Sequence, residues 1–232
     1  MTIKIYNELK QGTDEWLQAR CGLLTASNAK LLLTPTLKIA NNDKTRAYLY
    51  ELLAQRITNF VEPIFQTFDM ERGHIDEIYA RRAYSKHYAE AYEVGFITND
   101  KWGFKLGYSP DGLVGDKGLI EIKSRKQKFQ VETIINFDVP SEYILQLQTG
   151  LLVSEREWID FISYSAGLPM FVYRVTPDQK IQDVIIEAVG SFEEQLKELR
   201  SEYDENEQDF IKTERINEDV IYLEGEEEHE AF

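Results

Sequence analysis

Apolar residues in this chain follow two periods, and the change from one to the other divides it. Spacings of three and four predict helices over residues 42–58 (Tyr48, Leu49, Leu52, Leu53, Ile57) and 70–87 (Ile75, Ile78, Tyr79, Ala83). A shorter helix is read at 13–19, with Gly22 just past its end. Another is read up to Leu33, capped by Thr25 or Ser27. From residue 91 the period falls to two. Segments 91–98, 103–108, 113–114 and 118–123 read as strands, broken by turn signals at Asn99-Asp100, Pro110-Asp111-Gly112 and Asp116-Lys117-Gly118. Residues 141–153 read as a buried helix, 158–164 and 170–175 as strands joined by a turn at 167–169, and 182–205 as a long helix. This order predicts an α/β (α+β) fold with one central mixed sheet flanked by helices. Residues 1–210 are read as a single domain and 211–232 as an acidic C-terminal tail.

Composition supports a folded domain: 43% of the 232 residues are hydrophobic and 12% aromatic, too many for a disordered chain. Cys21 is the only cysteine, which excludes an internal disulfide and any thiolate-only zinc or iron–sulfur site. A reducing cytoplasm is the default compartment. The N-terminus has no apolar signal-peptide core, and no apolar run reaches the ~20 residues of a membrane span. The formal charge of −15 argues against a nucleic-acid partner until it is located. Residues 183–232 hold 18 acidic and 4 basic side chains, whereas the preceding 182 hold 23 and 22. The body is therefore balanced and free to carry a basic face. Residues 218–232 hold seven acids and no Lys or Arg, the composition of a mobile tail.

The chemistry concentrates in SPDGLVGDKGLIEIKSR, residues 109–125. Asp111 lies in a Pro-Asp-Gly turn. Glu121 and Lys123 lie two apart in an apolar strand, so both project from one face while Ile120 and Ile122 point into the core. A hairpin between Asp111 and Glu121 brings two carboxylates together. Such a pair repels and favours a divalent cation, and oxygen ligands suit Mg²⁺ or Mn²⁺. A lysine beside that cation can orient or deprotonate water, with burial and the metal pushing its pKa down. A β-turn and a solvated Glu-x-Lys pair are each commonplace; their combination in this order is not. Arg125, Lys126 and Lys128, with Arg81, Arg82 and Lys86, form either a track for a DNA backbone or a solvated face. His74, His87 and His229 have no ligand spacing, so zinc is not expected.

Asp111 followed by Glu121-Ile122-Lys123 resembles the PD-(D/E)xK nuclease signature. Four further segments, GTDEWLQARCGLLTASNAKLL (12–32), ERGHIDEIYARRAY (71–84), SPDGL (109–113) and QLQTG (146–150), occur in the order found in lambda-exonuclease-type phage recombination nucleases, the YqaJ-like viral recombinase family. That resemblance implies a restriction-endonuclease-like core and a Mg²⁺-dependent 5′→3′ exonuclease acting on double-stranded DNA ends, with two ions per site. It implies that Asp111, Glu121 and the Ile122 carbonyl bind metal, that Lys123 acts on water, and that Glu77 helps position metal-bound water. Arg20, Ser27, Ser109 and Gln146 would hold a terminal 5′-phosphate, and Met70 would be an apolar wedge at the duplex end. Bland readings stand beside these: Arg20 as a surface helix residue, Ser27 as a cap, Glu77 paired with Arg81, Gln146 as a buried structural amide with Gln148 as its local competitor, Met70 as core. The resemblance also implies a ring-shaped homotrimer, a single-strand annealing protein as partner, and a phage- or prophage-encoded protein in a bacterial cytoplasm. Rival functions are a restriction- or repair-type endonuclease and a non-enzymatic acidic binding module.

Overall fold

The computed structural model describes residues 2–63 and 67–215. The chain divides into two compact units, Met1–Lys197 and Glu198–Phe232. In the first, strands β1 (Ile3–Tyr6), β2 (Leu24–Thr25), β3 (Phe96–Asn99) and β4 (Leu106–Tyr108) form a sheet ordered β1-β3-β4-β2. Strands β5 (Gly112–Val114), β6 (Gly118–Ser124), β7 (Trp158–Tyr164) and β8 (Phe171–Val175) form a second sheet in sequence order. Periodicity predicts a single mixed sheet, and the hydrogen bonds divide it into two mixed ones. The break falls at Ser109-Pro110-Asp111, where Pro110 has no N–H to continue a ladder. The chain passes there from the first sheet to the second.

The helices are α1 (Asp14–Arg20), α2 (Asp43–Thr58), α3 (Phe68–His87), α4 (Gln127–Asn136), α5 (Ser141–Ser154) and α6 (Gln179–Asn206). Thr13 caps α1, Asn42 caps α2 and Thr67 caps α3 through side-chain oxygens, satisfying N–H groups that a helix start leaves free. The helix expected up to Leu33 is a 3-10 turn, Ala26–Leu31, and neither Thr25 nor Ser27 caps it; their hydroxyls bond each other at 3.1 Å. Three of these strands and helices escape the periodicity: β1, β2 and α4.

In the second sheet β6 is central, antiparallel to β5 and parallel to β7. Ile120 and Ile122 face α3 and pack with Ala80, Tyr84 and Ile162. The opposite face meets α5, where Tyr143 stacks on Phe161 at 5.4 Å, and Phe161 lies opposite Glu121 in the β6–β7 register. Helix α5 also packs against β3, β4 and the 26–31 turn, so it spans both sheets. Gly150 permits this approach: a Cβ there would lie 2.8 Å from the Tyr108 ring. Helix α6 contributes Ile185, Ala188, Val189, Phe192 and Leu196 to the core, and Glu193 forms a two-pronged ion pair with Arg56 of α2.

The second unit holds the end of α6 and a 3-10 turn, Glu207–Asp209. The acidic tail read at 211–232 falls on residues 211–215, which carry no regular structure, and on 216–232, which lie outside the described residues. Among the described residues no helix is long and apolar enough to cross a membrane.

Candidate active site

Strand alternation places Glu121 and Lys123 on the α5 face of β6, where they meet. Lys123 Nζ donates to Glu121 Oε1 at 2.7 Å. Glu121 is only 2% exposed, yet it is fully satisfied: Gln146 Nε2 donates to Oε1 at 2.5 Å and the Tyr108 hydroxyl to Oε2 at 2.7 Å. A buried carboxylate without such donors would be unstable as an ion. The Pro110-Asp111 turn delivers the second carboxylate, and the backbone N–H of Ile122 donates to Asp111 Oδ2 at 2.5 Å. In a strand the N–H and C=O of one residue project to the same side. The Ile122 carbonyl therefore faces the Asp111 edge of β6, away from β7.

Glu77 reaches this corner from α3. Arg81 Nη1 donates to Glu77 Oε1 at 2.8 Å and to the Asp111 carbonyl at 2.7 Å, and its other terminal nitrogen pairs with Glu93. Arg81 thus ties the helix to the turn and is not free to track DNA, one of the roles weighed for it. The pairing of Glu77 with Arg81 and its approach to Asp111 are both present. Burial, then the charges of Glu121 and Glu77, push the Asp111 carboxyl well above the usual carboxylate range. A carboxyl held neutral by burial and neighbouring acids is a donor that a divalent cation relieves. Among the described residues no three His, Cys, Asp or Glu side chains could hold an ion by themselves. A cation here would draw on Asp111, Glu121 and the Ile122 carbonyl, completed by water as Mg²⁺ prefers. The residues present fit such an ion.

The sequence reading has burial and a bound metal lower the Lys123 pKa, and the first of these acts here. Burial, the largest influence, lowers its pKa, but the Glu121 and Asp111 charges and the Glu121 hydrogen bond together hold it above the ordinary value. In this arrangement it is an ammonium.

A second cluster lies beside the first. Arg20 Nη1 donates to Ser109 Oγ at 2.7 Å, and the Trp16 indole donates to the same oxygen at 3.0 Å. The Arg20 guanidinium lies 4.1 Å from the Trp16 ring centroid. No carboxylate pairs with Arg20 among the described residues, and burial lowers its pKa to about 10. Ser27 is exposed and bonds Thr25; the parallel register, Thr25 opposite Gly107, runs Ser27 and Ser109 out at the same end of β2 and β4. Gln146 is placed at Glu121, not at Ser109. Its competitor Gln148 is structural, bonding the Thr176 carbonyl and the Asp178 N–H. Met70 lies 42% exposed in the first turn of α3, outside the core. Sequence reasoning missed Tyr108 and Tyr143 as partners of the cluster. Tyr108, directly before Ser109-Pro110-Asp111, is the one that position alone could have flagged.

A carboxylate and a lysine on a central strand, met by a second carboxylate from a Pro-Asp turn, define a core of the restriction-endonuclease-like class. Residues 15–157 match the YqaJ-like viral recombinase domain, and the chain belongs to that family. The crystal structure of an alkaline exonuclease (LHK-Exo) from Laribacter hongkongensis is similar at 32% identity and a TM-score of 0.70, covering 83% of this chain and 99% of that one. LHK-Exo in complex with dAMP gives 33% identity and 0.70 over the same shares. A phage related exonuclease from Haemophilus somnus 129PT, at 13% identity and 0.55 over 78% of this chain and 96% of that one, shares the fold. Comparison with curated proteins gave no match.

Proposed function

We propose that this protein is a divalent-metal-dependent exonuclease that degrades one strand of linear duplex DNA from its 5′ end. It would release mononucleotides and leave 3′ single strands for recombination by strand annealing. The observation that carries this reading is Arg20, a half-buried guanidinium that no carboxylate among the described residues neutralises, hydrogen-bonded to Ser109 two residues before Asp111. A desolvated cation that no carboxylate neutralises is a site prepared for an anion, and Arg suits phosphate. Two residues of extended chain span roughly 7 Å at most. A terminal 5′-phosphate at Arg20 and Ser109 therefore sets the next phosphodiester against Asp111, and cleavage there frees one nucleotide. The dAMP bound to LHK-Exo is such a mononucleotide.

In this reading Asp111, Glu121 and the Ile122 carbonyl would hold Mg²⁺ or Mn²⁺, two ions per site. Such ions neutralise charge on the reacting phosphoryl group and acidify water. Tyr108 and Gln146 fix the Glu121 carboxylate in place. Lys123, as an ammonium, orients the attacking water and supplies positive charge beside the scissile phosphate. Its use as a base requires relief of the carboxylate charge that now holds its proton. Glu77, aligned by Arg81, positions water at the same corner. Ser27 completes the phosphate pocket, and exposed Met70 is the wedge at the duplex end. Family membership supports a homotrimeric ring around DNA, an annealing protein as partner and expression from a phage or prophage in the bacterial cytoplasm. Residues 1–210 would form the nuclease domain.

The test uses purified protein with Mg²⁺ on linear duplex carrying a 5′-phosphate or a 5′-hydroxyl, on closed circles, and with Lys123→Ala as control. Rapid loss of the 5′-phosphorylated linear strand, circles intact and the variant inactive, is the expected result. Cleavage of circles would replace this reading with an endonuclease. No cleavage with any divalent metal would leave a binding module.

A further inference from the structure

We propose that Trp16 is a positioning residue that sets the 5′-phosphate preference, by directing the Ser109 hydroxyl proton into the pocket and fixing the plane of Arg20. This rests on the exonuclease reading above. A serine hydroxyl has one proton and room to accept two hydrogen bonds. Both accepting positions of Ser109 are taken, by Arg20 Nη1 at 2.7 Å and Trp16 Nε1 at 3.0 Å. No acceptor among the described residues takes the remaining proton, and Ser109 is half-buried, so the proton is directed to the open side. An oxygen of a bound anion is the acceptor this arrangement fits.

The indole is itself anchored. Its single N–H is shared with the Gly95 carbonyl at 2.9 Å. Gly95 is packed so closely on the N-terminal loop that a Cβ would lie 2.2 Å from the Leu9 carbonyl oxygen. The ring face meets Arg20, and Phe96 lies 5.6 Å from the same guanidinium. Aromatic contact holds a guanidinium in place without cancelling its charge, which a carboxylate would do. Helix α1, which carries Trp16, contributes no fully buried residue, so a purely architectural part for this side chain is small.

The test replaces Trp16 with β-(3-benzothienyl)alanine, which keeps the ring shape and lacks the N–H, and separately makes Trp16→Phe. The readout is the ratio of kcat/KM on 5′-phosphorylated against 5′-hydroxyl duplex, alongside thermal unfolding. Wild type should favour the phosphorylated end, and the benzothienyl protein should lose about tenfold of that preference, as expected for one hydrogen bond to a charged group. On a Ser109→Ala background the same replacement should change the ratio no further. An unchanged ratio in the benzothienyl protein overturns the proposal and leaves the exonuclease standing, as does an equal loss with Ser109 absent. A wild type indifferent to the 5′ group overturns both. If Trp16→Phe does not fold, the isosteric replacement decides alone.

Discussion

Gly150→Ala should damage this protein at a position where the same change in an ordinary helix would help. In a helix interior, Gly to Ala gains about 0.5–1 kcal/mol by restricting the unfolded chain. Here the new Cβ would lie 2.8, 2.9 and 3.1 Å from three carbons of the Tyr108 ring. Relaxing the shortest contact to a comfortable ~3.5 Å requires a shift of about 0.7 Å. Tyr108 is 1% exposed and has little room to yield. Overpacking of this kind costs about 1–3 kcal/mol, so the net change is a loss of roughly 0–2.5 kcal/mol. At about 2–4 °C per kcal/mol for a chain of this size, Tm falls by several degrees. The larger effect falls on cleavage. A displacement of ~0.7 Å along the 2.7 Å bond from the Tyr108 hydroxyl to Glu121 Oε2 takes it beyond hydrogen-bonding range. Misplacement on that scale can cost up to ~100-fold in rate. Thermal unfolding and single-turnover cleavage at saturating Mg²⁺ measure the two parts. A variant more stable than wild type and fully active would refute the packing argument linking α5, Tyr108 and Glu121.

Tyr108→Phe removes only the hydroxyl and leaves Glu121 with Lys123 and Gln146 as donors; cleavage should fall about tenfold with Tm changed by only a few degrees, and an unchanged rate would show that this bond does not position the carboxylate. Asp160 is 3% exposed and accepts two bonds from Arg174, each 2.8 Å, and one from Tyr84 at 2.6 Å, on the α3 face of the sheet, opposite Glu121. Asp160→Ala should cost about 2–3 kcal/mol, less than a fully buried pair because Arg174 can turn to solvent, while the folded fraction cleaves at the wild-type rate; a large loss of rate without loss of stability would contradict this. Burial raises the phenols of Tyr48, to about 12, and of Tyr84 and Tyr108. A proton held more tightly in the folded state stabilises the fold up to the unfolded value near 10 and progressively less above it, so denaturant midpoints should hold to about pH 9 and fall from pH 10 to 12. Tyr48 alone contributes on the order of 2–3 kcal/mol over that window, and a flat profile to pH 12 would refute the assignment.

Strand β6 was legible because its signal is local: Leu119, Ile120 and Ile122 alternate with Glu121 and Lys123, and the pleat does the rest. The first sheet was less so. Strand β1 is a four-residue edge strand with no buried residue, and the alternation of Ile3, Lys4 and Ile5 is too short to set it apart. Helix α4 begins at Lys126 with no side-chain cap and ends at Phe137, which takes the left-handed conformation at φ 52° without being glycine. Neither end carries a start or stop residue, and its lysines look like part of a basic tract. Asn59 and Glu155 end α2 and α5 in the same way. The division into two sheets depends on one missing N–H at Pro110, visible in the sequence but weightless until the partner strands are known. The position of Gln146 and the protonation of Lys123 are tertiary facts. Each depends on Glu121, which lies 25 residues from Gln146 in the chain.

The parallel pairing of β6 with β7 joins Gly118 to Trp158, residues 40 apart in sequence. A parallel partner cannot be reached by a tight turn, and closing so long a loop costs entropy before any contact repays it. During synthesis, Asp111, Glu121 and Lys123 therefore leave the ribosome well before the strand that flanks β6, and before the α5 residues that surround Glu121. A nascent chain holds all three chemical groups but not the surface that aligns them. Competence to cut DNA thus comes late in folding, and after denaturation its return should be paced by this long-range closure.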